Sequence, residues 1–172
     1  NTFTLLSGTG VLPNGSVLDL FGDPGNANRF YAAGQFGVVR CDDLSVVVLA
    51  ACTTVTDPQM NIGGTTNNIR IGIHNAGGNN VVYVGVVNNG QLAAVTWSTN
   101  LGVNWTGMDV PGVIIGGAAV GIQPRAKPGG QGGIHFSLVA DPTSANLVYV
   151  GGDRQQGTGP NNNLFPNPIG AN

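Results

Sequence analysis

The chain contains no glutamate, and Lys127 is its only lysine. Charged residues make up 8% of the sequence, about a third of the share usual in soluble domains. Any carboxylate chemistry must therefore come from the 8 aspartates, and solubility from amides, hydroxyls and exposed backbone, which 20 Asn and 29 Gly supply. The net charge of -2 excludes the broad basic surface that tracks a phosphate backbone, so nucleic acid is not an expected partner. No apolar run reaches the roughly 18 residues of a membrane-crossing helix, and no membrane insertion is expected. The run from Val46 to Cys52 is only strand-sized. No Lys/Arg-led signal segment opens the sequence, so any targeting peptide has been removed or was never included.

Cysteine is equally scarce. Cys41 and Cys52 are the only two, and they stand at opposite ends of a segment that reads as strand, Asp-containing turn and strand. A hairpin brings such ends together, so a disulfide is expected, and with it a secreted or cell-surface location. Two cysteines without an adjacent His offer too few ligands for a metal. The Asn/Asp loops are rich in carbonyl oxygens of the kind that hold Ca²⁺, but they show no ordered ligand spacing. No cofactor is expected.

What the chain does have is 41% hydrophobic residues, in short Val-, Ile- and Leu-rich runs that argue for buried strands rather than disorder. Helical periodicity is poor and glycine makes helices costly. The runs are organised by an internal repeat. Asp23-Pro24-Gly25-Asn26-Ala27-Asn28-Arg29-Phe30-Tyr31-Ala32-Ala33-Gly34 and Asp141-Pro142-Thr143-Ser144-Ala145-Asn146-Leu147-Val148-Tyr149-Val150-Gly151-Gly152 share Asp, Pro, Ala, Asn, Tyr and the final Gly. A third copy between them, from Asn75 to Val86, keeps Asn80 and Tyr83 and replaces Asp-Pro by Asn75-Ala76.

Each copy predicts an apolar strand, such as Ile69 to Ile73 or Ile134 to Ala140, then an Asx-led turn, then a strand centred on the Tyr. A further strand, Leu92 to Trp97 in the middle unit and Phe36 to Arg40 in the first, leads into a tight loop. Ser98, Asn100, Gly102 and Trp105 make that loop a compact hairpin whose Trp tucks back between strands. Residues 41–48 form a parallel series from Cys41 and Asp43 to Ser45 and Val48. The spacing predicts an all-β chain of four-stranded antiparallel units, approximately 17–60, 61–110 and 133–172, with a long Gly-rich connection over 111–133. These units make residues 1–172 a single propeller-like domain or fragment.

The series Ser98-x-Asn100-x-Gly102-x-x-Trp105 resembles the Asp-box (BNR repeat) of the sialidase-like and sortilin-like β-propellers, with Asn in the Asp position. Residues 41–48 resemble a degraded copy. The Asp-Pro-x-x-x-Asn-x-x-Tyr-x-x-Gly segments are similar to inner-strand repeats of the same broad group, which includes xyloglucanase-like hydrolases. The resemblance implies propeller blades, but Asp-box hairpins in that group are structural and stand away from the catalytic centre. Three visible units are fewer than the four to eight blades that close a propeller. The expected partners are therefore the rest of a longer polypeptide or identical chains completing the sheet assembly, with polysaccharide as a further ligand class. A divergent small propeller and an open stack of sheets remain alternatives.

The usual glycosidic hydrolysis needs two carboxyl groups across the scissile bond. Asp23 and Asp141 occupy repeat turns and read as structural, and Asp42 and Asp43 belong to the degraded hairpin. Asp153, directly after the third Tyr strand, is the catalytic candidate, because xyloglucanase-like enzymes carry an Asp in a comparable place. Arg125, Arg154 and Trp97 are the candidate ligand contacts. His74 and His135 read as hydrogen-bonded strand residues, and no serine has a nucleophile-elbow context. These features favour a non-catalytic segment with a structural or carbohydrate- or protein-binding role. The alternatives are part of a glycoside hydrolase and a self-assembling fibre or sheath subunit, the last suggested by sheet edges with few charges to protect them.

Overall fold

In the computed structural model, residues 12–43, 52–76, 79–115, 118–121 and 132–152 are described. They are almost entirely β. Strands β1 (Val17–Gly22), β2 (Phe30–Gly34), β3 (Gly37–Cys41) and β4 (Cys52–Thr54) form one antiparallel sheet in chain order. Strands β5 (Thr66–Ala76), β6 (Asn79–Asn88), β7 (Gln91–Ser98) and β8 (Thr106–Met108) form a second of the same design. A hairpin of β9 (Gly112–Ile115) and β10 (Ala118–Gly121) follows. After it come a helical turn α1 (Gly132–His135) and the pair β11 (Ser137–Ala140) and β12 (Val148–Gly151).

Local chemistry explains the second sheet. In β5, Ile69, Ile71 and Ile73 alternate with Arg70, Gly72 and His74, so one face is aliphatic throughout. Across β6 the same face continues as Val86, Val84 and Val82, paired in register with the three isoleucines. Between β6 and β7 the chain reverses at Asn89-Gly90, with φ of 50° and 78°, the two positive values that a tight hairpin turn demands.

The sheets stack in layers. The aliphatic face of the second sheet packs on Tyr31, Ala33 and Val38 of the first, with Met60 and Ile62 from the intervening segment between them. Its opposite face, carrying Val81, Tyr83, Val87 and Val95, packs on Phe136 and Leu138 of the third layer. Each fully buried isoleucine or valine contributes roughly 1.5–3 kcal/mol of transfer free energy. The third layer approaches closely because Gly72 and Gly85 leave room. A Cβ on Gly72 would lie 2.7 Å from Leu138 Cδ2 and 2.9 Å from the Ala140 nitrogen, and one on Gly85 2.7 Å from Phe136 Cζ.

Two expectations are corrected. The strand predicted over Ile134 to Ala140 begins only at Ser137, because Ile134 and His135 close a helical turn in which Ile134 is 71% exposed. The stretch 111–133, read as a long connection, contains the β9–β10 hairpin, since Val113 to Ile115 pair with Ala118 to Val120. The predicted disulfide is present. Cys41 and Cys52 are directly opposite on β3 and β4 and are bonded, with their Cα atoms 4.0 Å apart.

Candidate functional site

The polar groups that the fold gathers lie at the junction of the first and second sheets. Asp23 ends β1, and its side chain is wholly buried. One carboxylate oxygen accepts from the Gly25 amide at 2.9 Å and from Asn75 Nδ2 at 2.7 Å. The other accepts from Arg29 Nη1 at 3.2 Å and from Asn80 Nδ2 at 3.1 Å. Arg29 Nε also donates to Asp42 at 2.6 Å, and Asp42 in turn accepts from Arg40 Nε at 2.8 Å. Arg40 Nη1 then reaches the Leu101 carbonyl of the second sheet at 2.6 Å. Charge-assisted bonds of this kind are about twice as strong as neutral ones, and here they tie two sheets together. Tyr31 is buried beside this chain of charges. Burial pushes its phenol up to about 12, against the opposing pull of Arg40 and Arg29.

The carboxylates are occupied elsewhere too. Asp19 accepts from the Ile71 amide of the neighbouring sheet at 2.7 Å. Asp57 caps the 3-10 turn Pro58–Met60 through the Gln59 amide at 2.9 Å. Asp141 accepts from the Thr143 amide and hydroxyl, each at 2.7 Å, from the Ser144 amide at 2.8 Å, and from Tyr149 OH at 2.8 Å. The Thr143 and Tyr149 hydrogen bonds hold its carboxyl down to about 2. The Asp23 and Asp141 loops close alike. Asp23 N donates to Arg29 O and Arg29 N to Asn26 O, while Asp141 N donates to Leu147 O and Leu147 N to Ser144 O.

The Ser98 hairpin is built from short side chains bonding to nearby backbone. Ser98 Oγ accepts from the Gly102 amide at 2.9 Å and donates to Asn100 Oδ1 at 2.9 Å, and that oxygen also accepts from the Asn104 amide at 2.9 Å. Gly102 takes a φ of 85°. Trp105, 7% exposed, donates from Nε1 to Val55 O at 2.8 Å and to Gly102 O at 3.0 Å. The Trp thus links its own turn to the strand leaving the first sheet. Gln59 makes a second link, donating to Trp105 O and accepting from the Gly107 amide.

Of the sequence-derived ligand candidates, Trp97 stands opposite Tyr83 and packs, partly buried, against the second core. Asp153, Arg125 and Arg154 lie outside the described residues, as do 44–48 of the second hairpin series. His74 is buried, with Nδ1 2.7 Å from the Asp141 carbonyl. Sequence reasoning missed Asp19, Arg29, Arg40 and Gln59 as inter-sheet links. Arg29 precedes a repeat strand and Arg40 a cysteine, and no local signal says which neighbour they reach. Among the described residues no group of three or more His, Cys, Asp or Glu is gathered to hold a metal, and no helix is long and apolar enough to cross a membrane. No protein-family model, curated protein or solved structure matches the chain.

Proposed function

We propose that this chain is a non-catalytic structural module of an extracellular assembly, built from propeller-type blades of the Asp-box kind. The observation that carries this reading is how the carboxylates are used. Asp19, Asp23, Asp42, Asp57 and Asp141, five of the 8 acidic residues, are engaged as acceptors of backbone amides or of arginine and asparagine side chains. A general acid or nucleophile needs a carboxyl free to exchange a proton or attack a substrate. Here the carboxyls act as fasteners.

Further support comes from architecture. Two four-stranded meanders in chain order, stacked face to face, are what blade geometry requires. The Ser98–Trp105 hairpin carries side-chain-to-backbone bonds that suit an Asp-box with Asn in the Asp position. The Cys41–Cys52 bond fits an oxidising compartment.

The reading is tested by incubating the purified chain with xyloglucan, other β-glucans and sialosides and measuring released sugar. No release above a protein-free blank is expected, and Asp19→Asn and Asp23→Asn are expected to lower the melting temperature. Sugar release abolished by a single Asp→Asn change that leaves the melting temperature untouched would instead establish a glycoside hydrolase.

A further inference from the structure

The three layers can be aligned through their tyrosines. Tyr31 is paired with Phe21, Tyr83 with Gly72 and Tyr149 with Val139. Each tyrosine lies on the face of its layer directed away from the preceding one, here called trailing. Tyr31 is 0% exposed and Tyr83 1%, because the next layer covers each of them. Tyr149 is 51% exposed, beside Val139 at 53% and Leu147 at 41%.

The opposite, leading faces show the converse. The residue before each tyrosine's partner is Leu20, Ile71 or Leu138, paired with Ala32, Val84 and Val150. Ile71 and Leu138 are 1% and 7% exposed under the preceding layer, whereas Leu20 is 60% exposed. Phe30, Ala32 and Val39 on Leu20's face already pack with Leu12 from the segment before β1. That arrangement matches the second sheet, where Met60 and Ile62 from the segment before β5 lie within the layer contact. The described stack thus exposes both halves of one interface, a trailing half at Tyr149 and a leading half at Leu20, while both internal contacts between such halves are closed.

We propose that the Tyr149 face of one chain docks on the Leu20 face of a second copy, head to tail, continuing the layer stacking between chains. This rests on the module reading above and names its partner. The contact is heterologous, so it generates rings or open filaments according to the rotation per copy. Hydrogen-bond chemistry agrees with the proposal. Tyr83 OH donates at 2.6 Å to the carbonyl of Ala145, four residues after Asp141 in the next layer's loop. Tyr149 OH, with no next layer, turns back to its own Asp141. The matching acceptor is the carbonyl of exposed Ala27 in a second copy, four residues after Asp23 in the loop closed by the same bonds.

The test uses sedimentation velocity over a wide concentration range on the full chain and on Leu20→Asp and Tyr149→Asp. The wild type is expected to associate, and each variant alone to lose association by more than about tenfold, since a charge is buried without a partner. An equimolar mixture of the two variants should recover a discrete dimer, because Leu20→Asp keeps its trailing face and Tyr149→Asp its leading one. Self-association of Leu20→Asp alone would overturn the proposal in favour of symmetric pairing of trailing faces, as would a mixture that stays monomeric. Both substitutions are at exposed sites and should leave the melting temperature of dilute monomer unchanged, which separates lost docking from lost folding. A wild type that stays monomeric with a normal melt overturns the docking and leaves the module reading intact, whereas sugar release in the polysaccharide assay overturns the module reading.

Discussion

Aspartate does here what lysine and glutamate do on most surfaces only loosely: it holds a fixed geometry. Asp141 gathers two backbone amides and two hydroxyls, and hydrogen bonding to Thr143 and then Tyr149 keeps it ionised down to about pH 2. An unfolded aspartate titrates near 3.9. A folded value below the unfolded one means that the stabilisation is complete above about pH 4 and is lost as pH falls toward 2. Urea unfolding at successive pH values should show this loss in the wild type. Asp141→Asn should be less stable at neutral pH and flatter between pH 4 and 2, and parallel profiles for the two proteins would mean that the loop is held by something else. The turn role of Asp141 was legible in the sequence because an Asx before Pro bonds to amides a few residues ahead. Its bond to Tyr149 was not, because it spans two strands.

At the scale of the element, hairpins carry the local information. The Ser98–Trp105 loop was readable from four side chains, since Ser and Asn act within a few residues of themselves. Ser98→Ala should leave the buried Gly102 amide without its acceptor, at a cost of about 1–3 kcal/mol, seen as a lower denaturation midpoint. Asn100→Asp keeps the oxygen that accepts from Ser98 and Asn104 and should be tolerated. The Cys41–Cys52 pairing was readable for the same reason, both residues belonging to one hairpin. The helical turn at Gly132–His135 was not. Ile134 has the alternation of a strand residue, yet alternation alone does not report that Ile134 faces solvent.

The whole molecule is a matter of layers, and its tightest constraint is the approach of β11 to the second sheet. Gly72→Ala places a methyl against the Ala140 backbone nitrogen, which cannot rotate away as a side chain can. Overpacking of this kind typically costs about 1–3 kcal/mol. The variant should melt earlier and expose Tyr83, and second-derivative tyrosine absorbance would register that change. An unchanged melt would show that the third layer has room to retreat.

By itself the sequence determined an antiparallel, disulfide-linked all-β chain with Asx turns and tyrosine-centred strands, because alternation, turn chemistry and side-chain-to-backbone bonds act over a few residues. Only the tertiary structure decided that Tyr31 and Tyr83 are buried while Tyr149 is open, and that Asp19 and Asp23 fasten one sheet to the next. Burial depends on what another layer places overhead, and three tyrosines in similar local settings carry no record of which of them has a neighbour.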